Sequence, residues 1–333
     1  MRQRNFGNSN LKSSVIGYGG WPIGRGQYGD FDDDDAINAA RSAYDFGVTL
    51  FDSAAVYGWG YGETLIGEAI KDFRKDVILV SKGGREWDRG NADRSTATVS
   101  TSDPNKLSKS IDESLRRLQT DYIDLFLIHW PDKTRNFSIP MRVLEEAKKS
   151  GKIRYTGVSN FSVEMMDECR KTSPLITTQI GYHIFDRRPE KEIIPYVKRN
   201  NMGMMAYGSL AHGLLSGTWS KEKKFGEDDW RKNGGNFGLY LWNEENISKN
   251  LSIVEKLKLI ASEYGKSVCQ LSIGWVLSNS SVSVALVGTT KTTHAKEIFS
   301  DEWIIPQEVK SEIDNLVMNE GVGLGLQGME IAT

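Results

Sequence analysis

Residues 47–70, "GVTLFDSAAVYGWGYGETLIGEAI", decide how this chain folds. "GVTLFD" is a short run of β-branched and apolar residues without polar alternation, which reads as a strand buried on both faces. "ETLIGEAI" has the spacing of an amphipathic helix, and glycines fill the turn between. Asp52 closes the strand and Tyr57 stands five residues further on. An acid and a phenol at the mouth of a buried strand are either ordinary turn residues or the beginnings of a reactive site.

The same strand-then-helix pattern recurs along the chain. Eight apolar runs read as strands: 15–19 "VIGYG", 48–52 "VTLFD", 77–82 "VILVSK", 123–129 "IDLFLIH", 153–159 "IRYTGVS", 175–181 "LITTQIG", 202–208 "MGMMAYG" and 282–288 "VSVALVG". Helical patterns lie between them. Asp103 is a candidate N-cap with Pro104 at the first helical position, followed by Leu107, Ile111, Leu115 and Leu118 on one face. Gly151 stands where a helix ends, and "SVCQ" at 267–270 fits a capping box. "RNFGNSNLKSS" at the start reads as a small hairpin. Eight strands alternating with helices predict an α/β fold, a (β/α)8 TIM barrel with an N-terminal hairpin and extra helices. A doubly wound sheet is the second choice, since it would more often carry a glycine fingerprint after its first strand. The chain shows no repeat or linker, so one domain over 1–333 is expected. "GLGLQG" at 323–328 matches a dinucleotide fingerprint but lacks the preceding strand and following helix that such a motif needs; 320–333 reads instead as a flexible C-terminal tail. Two long glycine-rich loops, 83–103 and 209–245, stand out and read as functional lids or as disordered segments.

Bulk composition narrows the function. Lys plus Arg number 42 and Asp plus Glu 44, a net charge of −2, which argues against a nucleic-acid partner. No apolar run approaches the ~18 residues of a membrane span, and the start has no signal-peptide pattern, so a cytoplasmic protein is expected. Cys169 and Cys269 lie in helical segments at no zinc or disulfide spacing and read as core thiols.

In a (β/α)8 barrel the site lies at the C-terminal ends of the strands. Applied to the strand runs, that rule collects Asp52, Lys82, His129, Ser159–Asn160, Gln179, Tyr207–Ser209 and Gly288–Thr289, with Tyr57 on the loop after strand two. Each has an ordinary explanation taken singly: a cap, a snorkelling lysine, a satisfied core histidine. An acid, a base, a phenol and an imidazole at consecutive strand ends are harder to explain that way.

Those residues carry a resemblance. "GVTLFDSAAVYGWGYGETLIGEAI" is similar to the first signature of the aldo-keto reductases, and "VSKGG", "YIDLFLIHWPD", "GKIRYTGVSNFS" and "TTQIGYH" follow in that family's order over nearly the whole chain. The resemblance implies a catalytic tetrad of Asp52, Tyr57, Lys82 and His129, with hydride passing from a nicotinamide to a carbonyl carbon or back. A phenol is a weak acid with a pKa of about 10; a nearby ammonium at Lys82 is expected to favour the phenolate and sharpen Tyr57 as donor. Asp52 keeps that lysine charged and aimed, and His129 orients the carbonyl oxygen.

The resemblance also implies NAD(P)H bound without a Rossmann unit. Ser159, Asn160 and Gln179 match positions that hold the nicotinamide carboxamide, and Tyr207 matches an aromatic that stacks on its ring. Ser209, Leu210, Gly213 and Leu215 match the loop along the pyrophosphate. Gly288, Thr289, Lys291 and His294 match the adenosine end. There the chain departs from the family pattern: His294 stands where Arg or Gln is common and Ile298 where an adenine-binding Asn is common. Lys291 favours NADPH modestly, NADH being the alternative. Trp21, Trp59, Trp87 and Trp130, with Tyr28 and Trp230, fall on mouth loops and offer faces to a small carbonyl or sugar substrate, and Arg85 offers a charge to an anionic group. Other readings are a nucleotide-binding regulatory subunit, like the potassium-channel beta subunits that resemble reductases, a Schiff-base barrel using Lys82, and a metal hydrolase using His129 and His183, which lacks a carboxylate cluster.

Overall fold

Successive side chains of a strand point to opposite faces, and that parity governs this structure. The computed structural model describes residues 1–24, 28–87, 98–227, 229–235 and 237–320. Eight strands, β1 (Ile16–Gly19), β2 (Leu50–Asp52), β3 (Ile78–Gly83), β4 (Ile123–Ile128), β5 (Ile153–Ser159), β6 (Thr177–Gly181), β7 (Gly203–Tyr207) and β8 (Val282–Val287), form a closed parallel barrel in sequence order, β8 pairing with β1. Single helices follow the first six strands: α1 (Asp33–Asp45), α2 (Tyr61–Ile70), α3 (Pro104–Arg117), α4 (Ser138–Lys149), α5 (Val163–Arg170) and α6 (Ile193–Arg199). Two more, α7 (Glu244–Glu263) and α8 (Val268–Ser278), lie between β7 and β8, and α9 (Thr292–Phe299) and α10 (Gln307–Glu320) follow β8. This is the (β/α)8 barrel with N-terminal hairpin and extra helices that the strand pattern predicts. The hairpin pairs Gln3–Asn5 with Lys12–Ser14.

Alternate residues build two cores. Leu50, Val80, Leu125, Leu127, Met205, Val284 and Leu286 pack in one cluster inside the barrel, closed from below by Phe6 and Leu11 of the hairpin. Their sequence neighbours Phe51, Leu79, Phe126 and Ala285 belong to the larger cluster shared with the helices. Each fully buried Leu or Val contributes on the order of 1.5–3 kcal/mol relative to exposure. The same parity continues upward. Asp52 lies two residues beyond Leu50, Lys82 two beyond Val80 and His129 two beyond Leu127, so all three turn toward the barrel axis above the apolar plug. Register staggers them around the rim: Asp52 pairs with Val80, two residues before Lys82, and Lys82 pairs with Leu127, two residues before His129.

Local chemistry sets the helix ends. Asp103 accepts from the backbone N–H groups of Asn105 and Lys106, both at 3.1 Å, and Pro104 opens α3. Ser267 and Gln270 exchange the two bonds of a capping box at the start of α8. The loop after β7 contains two 3-10 turns, Ala211–Ser216 and Trp230–Asn233. The loop after β3 carries a short antiparallel ribbon, Arg85–Glu86 with Val99–Ser100. Of the flexible tail expected over 320–333, Glu320 ends α10, and 321–333 lie outside the described residues. Both cysteines are free, buried and helical as expected.

Replacing Asp103 by Ala is expected to lower stability by about 1 kcal/mol through loss of the α3 cap, read as a fall in denaturation midpoint; an unchanged midpoint would remove the cap from the account.

Candidate active site

The four residues of the tetrad that the resemblance implies, Asp52, Tyr57, Lys82 and His129, meet at one rim. Lys82 Nζ donates to Asp52 Oδ2 at 2.7 Å, to the Ser53 carbonyl at 2.8 Å and to Tyr57 Oη at 3.1 Å. Its three donors are thereby committed. The ammonium lies 4.7 Å from the centre of the Tyr57 ring. The His129 ring stands edge-on to Tyr57 with centroids 5.7 Å apart. Lys82 is 0 % exposed and Asp52 2 %. Asp52 Oδ1 accepts from Gln179 Nε2 at 2.8 Å, a bond that the sequence did not suggest.

A tight turn lifts Tyr57 over the mouth. Gly58 and Trp59 both take left-handed backbone, φ 58° and 54°. A Cβ on Gly58 would fall 1.6 Å from the Gly24 carbonyl oxygen, so only glycine lets the turn rest on the loop after β1. Glu63, fully buried on α2, accepts from Ser81 Oγ at 2.5 Å and from Arg117 Nε at 2.6 Å. Ser81 faces outward between the inward Val80 and Lys82, so this bond braces β3 from behind.

Burial dominates the electrostatics. It pushes Asp52 up and Lys82 down, each restrained by the other's opposite charge. Burial, and then the Asp52 carboxylate, hold the Tyr57 phenol well above 10. The sequence reading expected Lys82 to pull the phenol down; in the desolvated site burial outweighs that attraction, and the resting phenol keeps its proton. Burial, then the charges of Lys82 and Arg85, hold His129 well below 6.5. Its imidazole is therefore neutral near pH 7, and its Nδ1 is buried without a protein partner.

A cavity of about 1180 Å³ opens beside this group. It runs from Asp52 and Gln179 at the barrel axis, across the ends of β7 and β8, to Cys269 on α8 and His294, Glu297 and Ile298 on α9. Ser159, Asn160, Gln179, Tyr207, Ser209, Leu210, Gly213, Gly288 and Thr289 all line it, together with Trp21, Trp59 and Trp130. Lys291, Leu215 and Trp87 are not in its wall: Lys291 is exposed at the start of α9, Leu215 is fully buried in the core, and Trp87 ends the strand segment of the β3 ribbon. Asn160, left-handed at φ 63°, donates to the His129 carbonyl (3.1 Å) and to Ser159 Oγ (3.0 Å) and accepts from Tyr207 Oη (2.9 Å). It ties β4, β5 and β7 together at the rim.

Aromatic rings roof the mouth. Trp21 stacks on Trp230 at 5.8 Å and near Tyr57 at 6.4 Å, and Trp130 stacks on Phe237 at 6.0 Å. His212, Phe237 and Arg231 also line the cavity, and the sequence reading missed them. They sit inside a long irregular loop whose periodicity carries no signal. Arginines fasten that loop: Arg231 donates to both Asp229 oxygens and to the His212 carbonyl at 3.0 Å, and Arg188, paired with Asp186, donates to the Phe237 carbonyl at 3.1 Å. Arg85, also in the wall, donates to Ser100 Oγ and the Thr98 carbonyl.

The size and chemistry of the cavity fit a dinucleotide: it exceeds the roughly 300–1,000 Å³ of ordinary ligand sites, and it sets amide and hydroxyl groups at the axis and small residues beyond. Residues 15–317 match the sequence profile of the Aldo/keto reductase family. The chain is 35% identical over 323 residues to aldo-keto reductase YhdN of Bacillus subtilis (strain 168), covering 96% of this chain and 94% of that protein. It is 28% identical to the NADH-specific methylglyoxal reductase of Escherichia coli (strain K12), covering 89% and 92%. The solved structure of the glycerol dehydrogenase AKR11B4 from Gluconobacter oxydans superposes with a TM-score of 0.87 at 31% identity, covering 99% of each chain.

Two buried imidazoles beneath the roof, His183 and His212, are pushed down to about 3, chiefly by burial and then by Arg188 for His183 and by His183 and Arg231 for His212. Their folded pKa values lie below the unfolded value of about 6.5, so the unfolded chain takes up protons first. The stability they carry is complete above about pH 6.5 and drains away as pH falls toward 3. The melting temperature is expected to drop across that window, less steeply in His183→Asn and His212→Asn; a melting temperature flat down to pH 4 would contradict buried neutral imidazoles.

Proposed function

The chain belongs to the aldo/keto reductase family, and from that premise we propose which of its residues carry the reaction. As a member it is an oxidoreductase that reduces carbonyl groups with a nicotinamide cofactor. A dinucleotide held in the cavity would supply the hydride for the carbonyl carbon. Tyr57 gives the carbonyl oxygen its proton, and in the reverse direction takes it back. One observation carries this reading: Tyr57 Oη lies 3.1 Å from an ammonium that Asp52 holds at 2.7 Å.

The raised phenol pKa makes Tyr57 a loaded donor at neutral pH. Negative charge develops on its oxygen only as the proton leaves, beside a fixed cation in a site shielded from water. Lys82 thus acts where charge appears during reaction, which is where such a group contributes most. Neutral His129 orients the carbonyl oxygen. Ser159 and Gln179 would hold the nicotinamide end, with Asn160 bracing them, and Tyr207 would offer its ring. Ser209, Leu210 and Gly213 would follow the diphosphate; Gly288, Thr289 and His294 would take the adenosine end.

For the cofactor we favour NADPH by a modest margin. Lys291 is exposed beside the cavity-lining Thr289 and Thr290 and offers a point charge to a 2′-phosphate, weaker than an arginine fork. For the substrate we favour a small oxygenated carbonyl compound. Trp21, Trp59 and Trp130 supply faces for its C–H groups, and relatives named for glycerol and methylglyoxal support that class. Site and cofactor cleft share one barrel, in keeping with a single domain.

Tyr57→Phe is expected to bind NADPH as the parent does, by fluorescence titration, while turnover of an aldehyde falls about 10²–10⁴-fold, the usual reach of a positioned acid. Full activity in that variant would remove the mechanism. The rate of reduction is expected to be flat between about pH 6 and 9, because His129 stays neutral and Tyr57 protonated. An inflection near 6.5 that vanishes in His129→Asn would show instead that this imidazole titrates during turnover.

A further inference from the structure

We propose that Gln179 is a positioning residue for the proton donor: it holds Asp52 in place through its amide N–H groups, while the same amide faces the nicotinamide end of the cavity. The inference rests on the acid–base roles given above for Tyr57, Lys82 and Asp52.

The bonding leaves little freedom. Asp52 is 2 % exposed and Gln179 2 %. Asp52 Oδ2 accepts from Lys82 at 2.7 Å and Oδ1 from Gln179 Nε2 at 2.8 Å. A carboxylate paired with an ammonium only accepts, so the amide must turn its nitrogen toward Asp52. That choice directs the carbonyl oxygen of Gln179 away from Asp52, and Gln179 lines the cavity. One side chain thus joins the cofactor pocket to Asp52, Asp52 to Lys82, and Lys82 to Tyr57 Oη at 3.1 Å. Gln179 comes from β6 and Asp52 from β2, strands on different sides of the barrel. The bond therefore spans the barrel mouth.

Without Gln179, Asp52 Oδ1 would lose its only side-chain donor besides the lysine pair, at a residue that is 2 % exposed. Burial already pushes the Asp52 carboxyl up, and losing this donor pushes it further, so Asp52 would take a proton at a higher pH than in the parent. Protonated Asp52 no longer holds Lys82 as a cation next to Tyr57. The other groups facing this cluster are Tyr57 on the turn after β2, His129 at the end of β4, Glu63 on α2, which acts on Lys82, and Arg85, which acts on His129. Of these, Tyr57 is the one that the Gln179–Asp52–Lys82 chain of bonds reaches.

The test uses the full chain with saturating NADPH and an aldehyde that the parent reduces, followed from pH 5 to 10, with NADPH affinity measured separately by fluorescence. Gln179→Met keeps the length and removes the donor. Its turnover number is expected to fall about ten- to a hundredfold, the consequence of leaving one buried acceptor unpaired, and its activity to fall away on the acid side at a higher pH than the parent's. In an Asp52→Asn background the same change is expected to cost little more, since both act through one link. Gln179→Glu supplies a second signature should Gln179→Met fold poorly. Two buried carboxyls side by side resist double ionisation, so this variant should stay active at low pH, with its new carboxyl protonated and donating, and lose activity as pH rises. If Gln179→Met weakens only NADPH affinity, with turnover and pH profile unmoved at saturation, or Gln179→Glu shows no alkaline loss, Gln179 serves the cofactor alone and the inference fails. Failure of the underlying reading looks different: Tyr57→Phe would then turn over the aldehyde at the parent rate.

Discussion

A lysine ammonium with no exposure to water sits against a buried aspartate, and the rest of the molecule is organised around keeping it there. Taking two charges out of water costs more than their attraction returns unless the geometry is close and the remaining donors and acceptors are met. Here they are. Lys82 places its three protons on Asp52, Ser53 and Tyr57, and Asp52 receives a second bond from Gln179. An ion pair of this kind is a poor device for stability alone. In the mechanism proposed above, its use lies in presenting a fixed positive charge to one phenol.

The barrel supplies the rigidity. Short parallel strands, fully paired around a closed cylinder, leave no free edge, and the interior below the charges is filled by aliphatic side chains and plugged by Phe6 and Leu11. Charges at the top of such a plug cannot sink or drift. Dry packing beneath them also explains the direction of every shift at the site: the phenol is raised and the imidazole lowered because each resists charge in that environment. A phenol that keeps its proton and a histidine that stays neutral are the two states that the roles proposed for Tyr57 and His129 need near pH 7.

Recognition is built from less regular material. The aromatic roof of Trp21, Trp130, Trp230 and Phe237 draws on loops after β1, β4 and β7. Nothing periodic holds those loops, so arginines fasten them: Arg188 reaches from the loop after β6 to the Phe237 carbonyl, and Arg231 bonds within the loop after β7 to the His212 carbonyl. Both spend their remaining donors on nearby aspartates, which makes them braces more than ligands.

Period and parity made the frame legible in the sequence by itself. Eight apolar runs matched the eight barrel strands to within two residues, Asp103, Gly151 and the Ser267–Gln270 box marked helix ends, and strand ends selected Asp52, Lys82 and His129, because a polar residue two steps past an inward aliphatic must itself point inward. Tertiary structure decided what depends on distance between separate elements. It swung Lys291 and Leu215 out of the cavity wall and brought Phe237, His212 and Arg231 into it. It joined Gln179 to Asp52 across the mouth. It also reversed the expected direction for Tyr57, since desolvation is the work of all the surrounding strands and loops together, and no stretch of sequence records how much water they exclude.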